Sequence, residues 1–221
     1  MNRSTVPKIV DHDARRRELV EIASQVIAKN GVEGATLREL AAEAGFSNGA
    51  IKPYFPTKDS LFEATFTHVF SRTNARIERR VRGLRGWDAV LAFAQEVLPL
   101  DAAALDEARV VVAYWALAAQ SPATGQLMVQ QQAQWRQWLT DWVAEALAAG
   151  EVRQGVSVSN AAEALLTFFE GAQIVGVIDP VGGSGRSLRG QLDQLIDGWA
   201  VWGSGSDKGD AEGESRDGAA G

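Results

Sequence analysis

The sequence has no cysteine and only two histidines, His12 and His68. Disulfides, thiolate metal sites and cysteine nucleophiles are excluded, and a histidine-based metal site or triad has almost no material. No GxSxG, HExxH or P-loop pattern occurs, and the glycines at 182–185 lack the strand and lysine of a phosphate cradle. No catalytic residues, no metal and no cofactor are therefore expected. No stretch alternates as a strand does. The longest apolar runs, near 110–119 and 173–178, are too short to span a bilayer, and the polar N-terminus has no apolar signal region. The expectation is a cytoplasmic chain with no membrane partner.

What the chain has is helical periodicity and an uneven charge. Its 221 residues are 46% hydrophobic, enough for a substantial core. The net charge is −6, yet residues 1–58 hold nine Lys/Arg against seven Asp/Glu. A locally basic end on an acidic body suits a small DNA-reading head on a body that binds something else.

The stretch 36–55 reads as a helix-turn-helix. Thr36 and Glu39 have capping-box spacing. Leu37, Leu40, Ala41 and Ala44 share one helical face, and Gly45 suits a left-handed helix end. Ser47 can cap a second short helix anchored by Ile51. Before it, Leu19, Ile22, Ala23, Val26 and Ile27 predict a helix over 13–30, ended by Asn30-Gly31. Residues 1–12 form a flexible basic arm whose Arg3 and Lys8, with the run Arg15-Arg16-Arg17, either follow phosphates or are simply solvated.

Further helices are predicted at 58–81 (capped by Thr57), 87–98 (stopped by Pro99), 101–120, 122–149, 158–178 and 188–202. The fold class is all-α, about nine helices: a three-helix head (13–57), a helical bundle for ligand binding and dimerisation (58–202), and a disordered acidic Gly/Ser tail (203–221).

With these pieces placed, the chain resembles the TetR family of one-component regulators. The motif is Gly31-x-x-x-x-Thr36, Leu40-Ala41, Ala44-Gly45, then Ser47-x-Gly49-x-Ile51-x-x-Tyr54-Phe55-x-x-Lys58-x-x-Leu61. The second half is similar, more loosely, to the C-terminal domain of regulators related to choline-responsive repressors. Its cues are Leu98-Pro99-Leu100-Asp101, Tyr114-Trp115, Ala149-Gly150-Glu151 and Glu170-Gly171. The resemblance implies a homodimer paired through 158–178 and 188–202, a palindromic double-stranded operator, and a small-molecule effector. The sign of regulation stays open between repressor and activator, and a helical scaffold that has lost DNA binding is the competing reading.

In that light Ser47 to Tyr54 is the recognition helix. Lys52 can donate to guanine O6/N7 and Asn48 can meet an adenine edge or a phosphate. Gly49 and Ala50 allow close approach. Tyr54, Lys58, Thr36 and Arg38 match positions that hold phosphates. Pro53 removes a hydrogen bond inside this helix, which is expected to be short or bent. For the effector, Phe70, Tyr114, Trp115, the series Trp135, Trp138 and Trp142, and Phe168 offer aromatic walls for a cationic or lipophilic molecule. Glu107, Glu163 or Glu170 would balance a positive charge. The same tryptophans at helical spacing also fit an ordinary core.

Lys58→Ala is expected to weaken binding to all duplexes alike and lower the salt slope by about one phosphate contact. Lys52→Ala is instead expected to change which operator is preferred. Unchanged relative affinities across an operator library would remove Lys52 from base reading.

Overall fold

The computed structural model describes residues 11–179 and 181–201; the side chains at 32, 33, 48 and 123 are not described. The arm before residue 11, Pro180, and the tail with Trp202 lie outside these. Among the described residues the fold is all-α, with nine helices and one isolated antiparallel bridge, Val152 to Ala200.

Helix α1 (His12–Gly34) begins where Asp11 accepts the N–H groups of Asp13 and Ala14. Its regular part stops at Gly31, whose φ of 70° is the left-handed value that favours glycine. Helix α2 (Leu37–Glu43) follows, and Gly45, φ 69°, makes the turn to α3 (Asn48–Ile51). Helix α4 (Lys58–Arg80) opens on a complete capping box: Thr57 Oγ1 accepts from the Ser60 N–H at 3.1 Å, and Ser60 Oγ accepts from the Thr57 N–H at 3.2 Å.

The body is α5 (Gly86–Val97), α6 (Ala102–Ala118), α7 (Pro122–Ala148), α8 (Val158–Ile178) and α9 (Gly185–Asp197). Its core centres on Phe93, whose ring lies 5.0 Å from Phe169, 5.2 Å from Trp135 and 5.8 Å from Trp142, all near edge-on. The buried Gln173 amide donates to the Val97 carbonyl and so closes the end of α5 onto α8. Pro99 seats against Gly176, where an added Cβ would come within 2.5 Å of the ring.

Two expectations need correction. The last helix, expected over 188–202, runs Gly185–Asp197, with Ser184 as its cap and Gly198 at its end. Gly183 explains why the preceding glycines are needed: a Cβ there would meet the backbone of Val175 and Gly176 at 2.5–2.6 Å. Second, α8 is by length and composition apolar enough to cross a membrane. The separate runs judged too short understate it, because Glu163, Glu170 and Gln173 interrupt the run without breaking the helix. In this fold α8 packs against α6 and α7.

Candidate DNA-reading head and body cavity

The head holds its own small core of Leu19, Val20, Ala23, Leu40, Ala41, Ile51 and Phe55, closed from below by Leu61 and Ala64 of α4. Thr36 caps α2 by accepting the Glu39 N–H at 3.1 Å. The reciprocal half of the expected capping box is replaced, because the Thr36 N–H donates to the Gly34 carbonyl at 3.0 Å. Ser47 takes the cap position of α3 with extended backbone but makes no side-chain cap bond, contrary to expectation, and it is exposed.

The recognition helix expected to reach Tyr54 stops at Ile51. Pro53 has no N–H to continue it, and the N–H groups of Tyr54 and Phe55 both return to the Ile51 carbonyl, at 2.9 and 3.0 Å. What remains is one turn followed by a bend. Arg38, Gly49 and Lys52 are exposed, and Ala50 is half-buried. The Asn48 side chain lies outside the described ones. Tyr54 is half-buried with its ring 5.6 Å from that of His12, and the Lys58 ammonium stands 5.5 Å over Phe62. Arg15 and Arg16 are not a loose basic start: their guanidiniums lie 4.9 and 5.2 Å from the Phe46 and Phe55 rings.

Within the body, α4 to α8 enclose a small cavity of about 40 Å³, room for no more than a few waters. Phe66, Phe70 and Thr73 of α4 form one wall, and Trp115 and Glu107 of α6 another. Trp135 closes it from α7, its ring stacked on Phe70 at 4.9 Å and its Nε1–H donated to Asn74 Oδ1 at 2.6 Å. Phe169, Glu170 and Gln173 of α8 and Glu96 of α5 complete it.

Of the residues singled out from the sequence, Phe70, Trp115, Glu170, Trp135 and Glu107 line this cavity and Tyr114, Trp138, Trp142 and Phe168 do not. Tyr114 is buried flat against Phe66 at 4.1 Å, its hydroxyl making no hydrogen bond. Trp138 and Trp142 stack on each other at 6.1 Å against the body core. Phe168 packs on Phe169, and Glu163 pairs with Arg136 outside the cavity. Sequence reasoning missed Phe66, Thr73, Glu96, Gln132 and Phe169. The i, i+4 pair Phe66 and Phe70 on one face of α4 was the available signal.

The charges of the cavity are unequal. Glu96 and Glu107 both take hydrogen bonds from Arg76, and Arg80 also bonds Glu96. Burial pushes the Glu96 carboxyl up, but the hydrogen bonds from Arg80 and Arg76 outweigh it and hold the group below its usual value. Glu170 has no guanidinium hydrogen bond; its partner is the Gln132 amide. Burial pushes its carboxyl above the usual value, ahead of the opposing charge of Arg136, the repulsion of Glu163 and the Gln132 bond.

Comparison with known proteins now decides the family. Residues 87–201, just over half of the chain, match the BetI-type transcriptional repressor C-terminal domain, and residues 19–65 match the bacterial tetR-family regulatory head. The chain belongs to the TetR family. Among relatives of this TetR-family chain is the nicotine-responsive repressor HdnoR of Paenarthrobacter nicotinovorans, 28% identical over 189 residues, 83% of this chain and 92% of that protein. The regulator PksA of Bacillus subtilis is 36% identical over 114 residues, so the match spans 51% of this chain and little over half of PksA, 56%. A transcriptional regulator from Saccharomonospora viridis, solved in complex with choline, shares the fold with a TM-score of 0.80 at 20% identity, over 86% of this chain and all of that one.

The sign of the Glu170 shift gives a test. A carboxyl whose folded pKa is raised costs stability above that pKa, and the cost vanishes below its unfolded value. Glu170→Gln is therefore expected to raise the melting temperature at pH 7, with the gain shrinking as pH falls toward the ordinary glutamate range. A variant no more stable than wild type at pH 7 contradicts this.

Proposed function

We propose that this TetR-family chain is a cytoplasmic, homodimeric repressor, released from a palindromic operator when an organic monocation fills the body cavity. It has no catalytic role and needs no metal or cofactor. The observation that carries the reading is the cavity's charge: three lining carboxylates, two of them taken by arginines, and Glu170 left with an amide among aromatic rings. Phe66, Phe70, Trp115, Trp135 and Phe169 present ring faces or edges to the same small volume. Such a site favours a positive charge on an apolar body, through cation–π attraction and one facing carboxylate. Choline and nicotine, named for two of the similar proteins, share that chemistry. At about 40 Å³ the space is tight for either, so an occupant presses on the walls that α4 to α8 supply.

The head supplies the other end of the switch. Thr36, Arg38, Ser47, Gly49, Ala50, Lys52, Tyr54 and Lys58, with Asn48, are the proposed DNA contacts; one exposed turn reads bases while the rest sets register on phosphates. Two heads must then sit about 34–36 Å apart to enter successive major grooves.

Dimerisation rests on the outer stripe of α8. Ile174 and Ile178 are exposed there and Val181 follows, 83% exposed. Gly171, one turn before, has open space where a Cβ would stand. An apolar stripe beside a glycine fits close approach of a second copy's α8 and α9 better than it fits water. Ile174→Glu is expected to give monomers by light scattering without lowering the monomer's helicity; a variant that stays dimeric removes this face from the interface.

The functional test is operator release. The chain is expected to shift a palindromic duplex from its gene's own upstream region. Choline or nicotine should release it at concentrations where 3,3-dimethyl-1-butanol, choline's uncharged isostere, does not. Equal release by the isostere would refute a cation site, and release by neither cation would refute this ligand class.

A further inference from the structure

Beside the cavity lies a guanidinium fork that the effector reading does not use. Arg76 of α4 donates from both terminal nitrogens to the cavity-lining Glu107 on α6, at 3.0 and 2.7 Å, and from Nε to the cavity-lining Glu96 on α5, at 2.9 Å. Its Nη2 also donates to Thr73 on its own helix at 3.2 Å. One side chain thus ties α4 to both neighbouring walls. The group is only 27% exposed, and Glu96 and Glu107 are 11% and 23% exposed, so solvent screens it weakly.

Glu107 has a second position in the fold. Besides lining the cavity, it lines an outer cleft between α1, α4 and α6, together with Glu21, Ser24 and Arg72. One turn along α4 from Arg76, Arg72 donates to Glu21 of α1 at 3.0–3.1 Å, and His68 meets the same carboxylate at 2.9 Å. Arg72 and Arg76 are spaced i, i+4: the first holds the head to α4, and the second holds α4 to the cavity walls. Glu107 thus borders both the cavity and the cleft against α1, while Arg76 sits on α4 just beyond the cavity-lining Phe66, Phe70 and Thr73.

We infer that Arg76 is the positioning residue that transmits cavity occupancy to the head, by holding α4 against α6 through Glu107 until an occupant's cation draws that carboxylate away. The inference rests on the cavity being the effector site. A monocation held between the aromatic walls by Glu170 also attracts Glu107, which lines the same cavity, and parting the walls lengthens the hydrogen bonds from Arg76. With the fork broken, α4 keeps its ion pair to α1 and loses its charged tie to α6, which leaves the apolar packing of Phe66 on Tyr114 as the remaining hold, so α4 shifts on α6 and carries the head with it. Arginine is required for this because its fork can bond two carboxylates at once, which an ammonium reproduces only in part.

The test needs no effector to begin. Operator affinity of the dimeric chain is measured for Arg76→Gln, Arg76→Lys, Glu107→Gln and, as a control, Arg136→Gln, which breaks a pair outside the cavity and the head. Arg76→Gln and Glu107→Gln are expected to weaken operator binding by about 5–150-fold, the usual range of coupling between sites. Arg76→Lys should restore part of it, Arg136→Gln should match wild type, and choline should cause no further release from Arg76→Gln. Glu107→Gln leaves Arg76 on Glu96 and carries the same expectation if Arg76→Gln does not fold. Wild-type affinity in both folded variants, or full choline response in Arg76→Gln, overturns the inference while the repressor reading stands. Absence of operator binding by the wild-type chain overturns both.

Discussion

One helix belongs to three cores, and the architecture depends on that sharing. Leu61 and Ala64 at the start of α4 close the head. Phe62, Phe66, Val69 and Phe70 pack with Val26 and Ile27 of α1 and with Val110 and Tyr114 of α6 in a junction between head and body. Ile77, near its other end, is buried in the body core. Packed interiors are close to crystalline density and do not deform smoothly. A helix that contributes buried side chains to all three cannot shift at one end without repacking the others. The flat stacking of Phe66 on Tyr114 fixes the middle of that lever to α6, and the lining residues Phe66, Phe70 and Thr73 put the same helix in the cavity wall.

The charged contacts follow this apolar frame. Half-exposed ion pairs such as Arg15 with Glu18 contribute little. Those along α4 face three different helices, Glu21 on α1, Glu96 on α5 and Glu107 on α6, and the two made by Arg76 are the more sheltered. They add direction to contacts that hydrophobic burial leaves non-directional. Glu170 differs from them in having no guanidinium bonded to it, the asymmetry on which the proposed cation site rests.

The head was legible because its signals are local. Gly31 and Gly45 end helices at φ 70° and 69°, and Thr36 and Thr57 cap where their spacing says they should. Pro53 correctly foretold a shortened recognition helix. The start of α9 was misplaced because a glycine cluster reads as a loop; that Gly183 is pressed on the end of α8 is a tertiary fact. The cavity was half legible. Trp135, Trp138 and Trp142 lie on one broad face of α7, and periodicity alone does not say that the cavity reaches only the first. The Arg76 contacts join residues 20 and 31 apart in sequence, beyond any local pattern. The membership of the chain in the TetR family, carried by spaced motifs, needed none of these long-range facts.

The central claim is that α4 carries the state of the cavity to the heads. The cysteine-free sequence allows one spin label per subunit at an exposed site on α2, through Glu43→Cys. The most direct measurement is the label-to-label distance in the proposed dimer, with and without excess choline. The account predicts a head separation that moves by several ångströms away from the groove spacing on saturation. An identical distance distribution in both conditions would contradict it.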